Sequence, residues 1–241
     1  VGSPATSSHH EHLANRLLAA IPYDCFNLLA PHLESVALPA RTLLFDTGNP
    51  LQYVYFPRTG LVGLMAAPDE GGAEAATIGS EGFVGFEAVL GGTTTATRAM
   101  VQLGGSASRI SLANLNIAIR AFPAIGTSLL RYVRYFLIEA LQSAACNGMH
   151  TVEERFAKWL LLAQDRAGNG STFHATQEFL AEMLGVHRPT MTIVARSLQS
   201  AGLIRYSRGV ITVMDRKGLE GAACECYELM QQALKEVVAP P

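Results

Sequence analysis

The chain of 241 residues is 49% hydrophobic and 16% charged, with enough apolar surface to offset the entropy of ordering it; disorder is excluded and one large or two small domains are expected. Its longest run without Asp, Glu, Lys or Arg, Ala140 to Val152, includes Gln142, Asn147 and His150 and falls short of the about 18 apolar residues of a membrane span, so no membrane partner is expected. The net charge of −2 conceals a segment, 185 to 217, in which Arg188, Arg196, Arg205, Arg208, Arg216 and Lys217 face only Asp215, a local positive potential of the kind a polyanion requires.

The opening residues have no positive charge ahead of an apolar block, so they do not read as a secretory signal and a cytoplasmic setting is expected. His9, His10 and His12 lie in this polar segment and are expected to be a tail. Apolar positions at helical spacing (Leu13, Leu17, Leu18, Ile21, Phe26, Leu29, Leu33), interrupted by Pro22 and Pro31, predict short helices. From Val36 to about Ser111 the pattern becomes β-type, with runs such as Tyr53-Val-Tyr-Phe and Leu61-Val-Gly-Leu-Met. Gly48-Asn-Pro, Arg58-Thr-Gly, Glu70-Gly-Gly and Gly104-Gly divide these runs, which together predict an all-β roll or barrel. After Pro123 a long helix is expected, with Ile125, Leu129, Val133, Phe136, Leu137, Ala140, Leu141 and Ala144 on nearly one face. That apolar surface is wider than one neighbouring sheet covers, which points to a dimer in which Leu129, Val133, Phe136, Leu137, Ala140 and Ala144 meet the partner. A further helix spans Val152 to Ala167.

The stretch Thr176 to Ile204 carries the functional signal. Thr176 can cap a helix burying Leu180, Ala181 and Leu184; Gly185 turns the chain; Pro189 suits the first turn of a second helix whose inner face is Met191, Val194, Ala195 and Leu198. Two short helices joined by a tight Gly-containing turn make a helix-turn-helix, whose second helix can enter the major groove. Leu203 to Met214 then reads as a hairpin with Ser207, Arg208 and Gly209 at its tip, making the winged form. On the outer face Arg188 is the expected base reader, Ile193 can meet only a thymine methyl, and Arg196 and Arg208 are placed for phosphate. Thr176, Gln177, His187, Pro189, Thr190 and Thr192 complete the expected DNA-binding set. Beyond the wing, Leu219, Ala223, Tyr227, Met230, Leu234 and Val237 predict one amphipathic helix that packs on the DNA-binding domain or on the partner subunit.

This ordered set, together with Pro39 to Gly48 and Val54 to Gly60 in the β-region, resembles the Crp/Fnr family of bacterial transcription regulators over most of the chain. The resemblance implies an α+β architecture. Residues 1–120 would be a cyclic-nucleotide-binding-like β-roll serving as effector domain, 121–150 a dimerisation helix and 151–241 a winged helix-turn-helix with an extra helix. The expected partners are double-stranded DNA with a palindromic operator, a second copy of the chain, and RNA polymerase.

In the family's nucleotide binders a Gly-Glu pair and an Arg-Ser or Arg-Thr pair enclose the cyclic phosphate. Here the corresponding positions are Gly85-Phe86 and Arg98-Ala99, which keep one charge and lose two hydrogen-bonding partners, at about 1–3 kcal/mol for each unmade bond. Cyclic AMP is therefore not an expected ligand, and Arg98 is expected to pair with a local carboxylate. With only Cys25 near the N-terminus an iron–sulfur sensor is not expected, and His32 has nothing to distinguish it as a haem ligand, so the effector is unassigned. Cys224-Glu225-Cys226 has no second Cys or His pair near it in sequence; no metal site and no cofactor are expected. There is no nucleophile elbow, Walker loop or His-Glu-x-x-His, so an enzyme is not expected. The competing reading is a small-molecule-binding signalling module acting through protein contacts, against which the basic segment argues.

Overall fold

The computed structural model describes residues 10–65, 74–168 and 170–238. The expected Glu70-Gly-Gly turn and His9 lie outside the described residues. Asn15 caps helix α1 (Arg16–Ala20) by accepting from the Leu18 N–H, and its amide donates to the carbonyls of Pro57 and Gly82 at 2.7 and 2.9 Å. The expected polar tail is therefore structured from this point: His12 is buried, with Nδ1 2.7 Å from Ser108 Oγ. Pro22 precedes α2 (Tyr23–Leu29), and a single 3₁₀ turn over Ala30–His32 accommodates Pro31.

The strands are β1 (Glu34–Leu38), β2 (Leu43–Phe45), β3 (Tyr53–Met65), β4 (Glu74–Ile78) and β5 (Arg98–Ser111), in the antiparallel order β1-β5-β3-β4 with β2 also on β5. The long β3 and β5 pair from Tyr53↔Ser111 to Met65↔Arg98, with register shifts between Pro57 and Val62. Such irregularities bend and twist a strand, and here they let two long strands roll around one core. That core holds Val54, Phe56, Val62, Leu64, Ile78, Val101 and Ile110. Helix α3 (Leu112–Ala121), capped by Ser111, leads into α4 (Pro123–Met149), with Pro123 in the first turn where its missing N–H is harmless.

Helix α4 lays Ile125, Leu129, Tyr132 and Tyr135 onto the roll. This corrects part of the expected dimer face. Leu129 is fully enclosed within its own chain, Phe136 stacks on Phe86 with ring centroids 4.8 Å apart, and Val133 packs partly against the roll. The opposite side keeps Leu137 and Leu141 exposed at 58% and 64%, with Leu130, Ile138 and Ala144 also exposed and Ala140 half-buried.

The C-terminal part begins with α5 (Val152–Arg166), opened by a reciprocal Thr151–Glu154 capping box. There follow β6 (Thr172–His174), α6 (Gln177–Leu184), α7 (Arg188–Ser200), β7 (Ile204–Ser207), β8 (Val210–Val213), α8 (Arg216–Ala222) and α9 (Cys226–Val238); the small sheet has the order β6-β8-β7. Its core of Phe156, Leu160, Phe173, Leu180, Met191, Leu198 and Ile211 also takes in Leu61 and Leu103 from the roll. The single tail helix expected from the sequence is two helices. Ala223 adopts an extended conformation, and Cys224 is buried in the break. Helix α9 packs mainly on α4 of its own chain and sends Leu234 and Val237 into the roll's core.

The parts are joined at the end of α5. The Arg166 guanidinium donates to Glu139 at 2.9 Å, lies 3.7 Å from Glu81, and also bonds the Thr77 carbonyl and the Tyr135 hydroxyl. The carbonyls of Arg166 and Ala167 accept from the Ser80 and Gly60 N–H groups at 3.0 and 2.7 Å. Burial alone would lower the Arg166 pKa, but Glu139, Tyr135 and Glu81 raise it well above its ordinary value. Burial pushes the Glu81 carboxyl up, against the pull of Arg166 and the Gly79 N–H.

Candidate nucleic-acid interface

Thr176 accepts from the Phe179 N–H and so starts α6; Gly185 ends it at φ +65°, a left-handed conformation that glycine adopts without a Cβ clash, and the Val186 N–H returns to the Ala181 carbonyl. The chain re-enters a helix at Arg188, with Pro189 in the first turn. Met191, Val194, Ala195 and Leu198 are buried against α5 and α6. The same rotation turns Arg188, Pro189, Ile193 and Arg196 to solvent, with Ile193 69% exposed. The Thr192 hydroxyl donates to Gln177 Oε1 at 2.8 Å and lies 3.1 Å from the Arg188 carbonyl, so it locks the two helices together rather than facing out freely.

The wing turns on two residues, not three: Ser207 pairs with Val210, leaving Arg208 at φ +50° and Gly209 at φ +75°. Positive φ at both positions is the type I′ hairpin turn, whose twist matches that of the flanking strands. Gln199 Oε1 accepts the Tyr206 N–H at 2.7 Å, and the Tyr206 hydroxyl donates to the Ala175 carbonyl at 2.8 Å. These bonds fix the wing on α7 and on the segment leading into α6.

A concave face of about 340 Å³ is thereby lined by Thr176, Gln177, Arg188, Tyr206, Ser207, Arg208 and Gly209. It gathers four of the expected residues from three separate elements. Ser207 and Gly209, expected at the wing tip but not in the DNA-binding set, also line it, and Tyr206 joins them through the fold. His187 and Pro189 stand exposed at the entrance of α7, Thr190 is half-buried, and Ile193 and Arg196 continue the exposed face along the helix. Among the described residues no ion pair involves Arg188, Arg196, Arg205 or Arg208, whereas Arg216 is spent on Asp165 and Glu220 at 2.8 and 3.0 Å. The positive N-terminal end of α7, with its unpaired backbone donors, reinforces the field on this face.

The four positions that correspond to the family's nucleotide cassette do not assemble into a ligand set. Arg98 makes a two-pronged contact with Asp46 at 3.0 and 3.2 Å, holding that carboxyl below its usual range. Phe86 is occupied by Phe136, Ala99 is enclosed in the core, and Gly85 carries the backbone at φ +99° into a short turn. The neighbouring Glu87 turns inward, where its Oε1 accepts the Ala96 N–H at 2.9 Å. Arg98 thus pairs with a local carboxylate as expected, while Gly85, Phe86 and Ala99, the other candidate effector positions, are taken up by the fold and offer no ligand contact.

Residues 154–222 match the family model described as a Crp-like helix-turn-helix domain. No curated protein matches the chain in sequence. Among solved structures, FixK2 from Bradyrhizobium japonicum is similar at 18% identity and a TM-score of 0.67, covering 80% of this chain and 98% of that one. The c-di-GMP responsive global regulator CLP from Xanthomonas campestris is similar at 19% identity and a TM-score of 0.60, over 80% of this chain and 100% of its own. The transcriptional regulator TTHA1359 of the CRP/FNR family from Thermus thermophilus is similar at 24% identity and a TM-score of 0.60, over 79% and 98%. No described helix is long and apolar enough to cross a membrane. The chain carries a Crp-like helix-turn-helix domain set in the fold of the Crp/Fnr transcription regulators.

Proposed function

We propose that the protein is a dimeric, sequence-specific DNA-binding transcription regulator whose β-roll has lost the cyclic-nucleotide site. The observation that carries this reading is the gathering of Arg188 and Arg208, neither ion-paired among the described residues, with Thr176 and Gln177 around one concave face. Arg188 reads a base, because its guanidinium can donate twice to guanine O6 and N7, while Arg208 and Arg196 meet phosphate. Two copies joined along the exposed side of α4 present two such faces to half-sites about 34–36 Å apart. Selection of bound sites from random duplex DNA tests the whole reading: a palindromic consensus is expected, and recovery of no sequence preference would overturn it. The roll is tested by calorimetry with cyclic AMP. A dissociation constant at or below about 10 µM, roughly −7 kcal/mol, would contradict the loss of the site.

A further inference from the structure

Three of the four cysteines meet where α4 ends and the tail begins. Cys146 and His150 lie one turn apart at the end of α4; Cys224 lies in the break between α8 and α9 and Cys226 opens α9, the two flanking Glu225. Their ligand atoms all lie within 4.8 Å of one another. Cys146 Sγ is 3.6 Å from Cys224 Sγ, and Cys226 Sγ is 3.5 Å from His150 Nδ1. A zinc ion with Zn–S of about 2.3 Å and Zn–N of about 2.0–2.1 Å has tetrahedral edges of about 3.5–3.8 Å; the Cys146–Cys224 and Cys226–His150 separations match these edges, and no other pair exceeds 4.8 Å. The clustering was not legible in the sequence, because the second pair is distant from Cys224-Glu225-Cys226; Cys146 and Cys224 are 78 positions apart.

The surroundings also suit a metal. Glu225 Oε1 lies 3.2 Å from His150 Nε2, an arrangement that keeps the proton on Nε2 and turns the Nδ1 lone pair toward the sulfurs, as outer carboxylates do for metal-bound histidines. Gln142 Nε2 donates to Cys226 Sγ at 3.1 Å and Lys158 Nζ to Cys146 Sγ at 3.4 Å. All three thiols are buried.

We propose that Cys146, His150, Cys224 and Cys226 form a tetrahedral zinc site that fastens the tail to the end of the long helix. Three thiol protons pass to solvent on binding; three thiolates, a neutral imidazole and Zn²⁺ leave one net negative charge, which the Lys158 ammonium offsets. Three thiolates and an imidazole select a borderline-soft ion over magnesium or calcium. The compactness of the donor set fits one ion, since an iron–sulfur cluster holds its cysteine sulfurs farther apart. Nothing in this assignment depends on DNA binding.

The test uses the full chain, purified reduced and without oxygen. One zinc per chain is expected by elemental analysis, and cobalt in its place should give the visible bands of tetrahedral thiolate coordination. His150→Ala should weaken zinc at least tenfold in competition with a chromogenic chelator. Glu225→Gln, which leaves all four ligands in place, should weaken it by about 10–100-fold; Cys25→Ser, in α2, should change nothing. If a ligand variant does not fold, the cobalt spectrum of the native chain and the Glu225→Gln titration still decide. The proposal is overturned by a reduced chain that neither retains zinc nor melts higher when zinc is added, by bound iron with sulfide, or by a Cys146–Cys224 disulfide in the oxygen-free preparation.

Discussion

Arg208 holds a left-handed backbone conformation that costs a residue with a Cβ about 1–2 kcal/mol, and the turn would accept glycine there more readily. An arginine at a strained, exposed tip fits the phosphate contact proposed for it. Arg208→Gly should therefore leave the melting temperature unchanged or raise stability by up to about 1 kcal/mol. The same substitution should weaken binding to all duplexes alike and reduce the salt slope by about one per half-site. Arg188→Ala should instead cost roughly 1–3 kcal/mol and relax discrimination at one base pair. Fluorescence anisotropy over a set of single-base-pair variants at several salt concentrations separates the two; equal, sequence-independent losses would remove Arg188 from base readout. Both arginines could be found in the sequence because helix period and turn chemistry are local. Tyr206 was not singled out, since its hydroxyl bond to Ala175 depends on the fold bringing β7 beside the start of α6.

At the scale of single elements, α4 illustrates what periodicity can and cannot give. The 3.6-residue repeat identifies an amphipathic helix, but an apolar face this wide does not say which part of it meets the roll. The roll takes Leu129, Tyr132 and Tyr135, leaving a stripe that runs through Leu130, Leu137 and Leu141. Leu137→Glu should leave the roll folded, since that side chain is 58% exposed, yet shift the proposed dimer toward monomer in sedimentation equilibrium. A dimer unaffected by Leu137→Glu and by Leu141→Glu would assign association to another surface. In the tail the repeat ran unbroken across Ala223 to Glu225, where the chain leaves the helix to bury Cys224 beside Cys146. A tertiary contact overrode local pattern there, which a single sequence does not reveal.

Across the whole molecule, Arg166 binds the roll, the long helix and the DNA-binding domain through one buried charge. Arg166→Met would strand the Glu81 and Glu139 carboxylates in the interior, and a loss of about 3–5 kcal/mol is expected in chemical denaturation. Glu81 also sets a pH dependence. Because its folded pKa is raised above the ordinary 4.5, its contribution is fully favourable below that value and is lost as pH rises through the folded pKa. Glu81→Gln should flatten this decline in denaturation curves taken upward from pH 4.5; an unchanged slope would mean that another group governs it. None of this network was visible in the sequence, since Thr77, Glu81, Glu139 and Arg166 carry no spacing signal and meet only after the domains dock.

The sharing of Leu61 and Leu103 between the roll and the C-terminal core bears on biosynthesis. Strand β5 completes the roll at Ser111, whereas the side chains that cover those two leucines begin at Phe156. On a ribosome adding about 5–20 residues per second the roll can close first and carry an uncovered apolar patch for several seconds. A chain ending at residue 150 and carrying Leu137→Glu and Leu141→Glu, which remove the proposed dimer face, fixes that interval permanently and should still self-associate, and adding Leu61→Ser should reduce the association as read by light scattering.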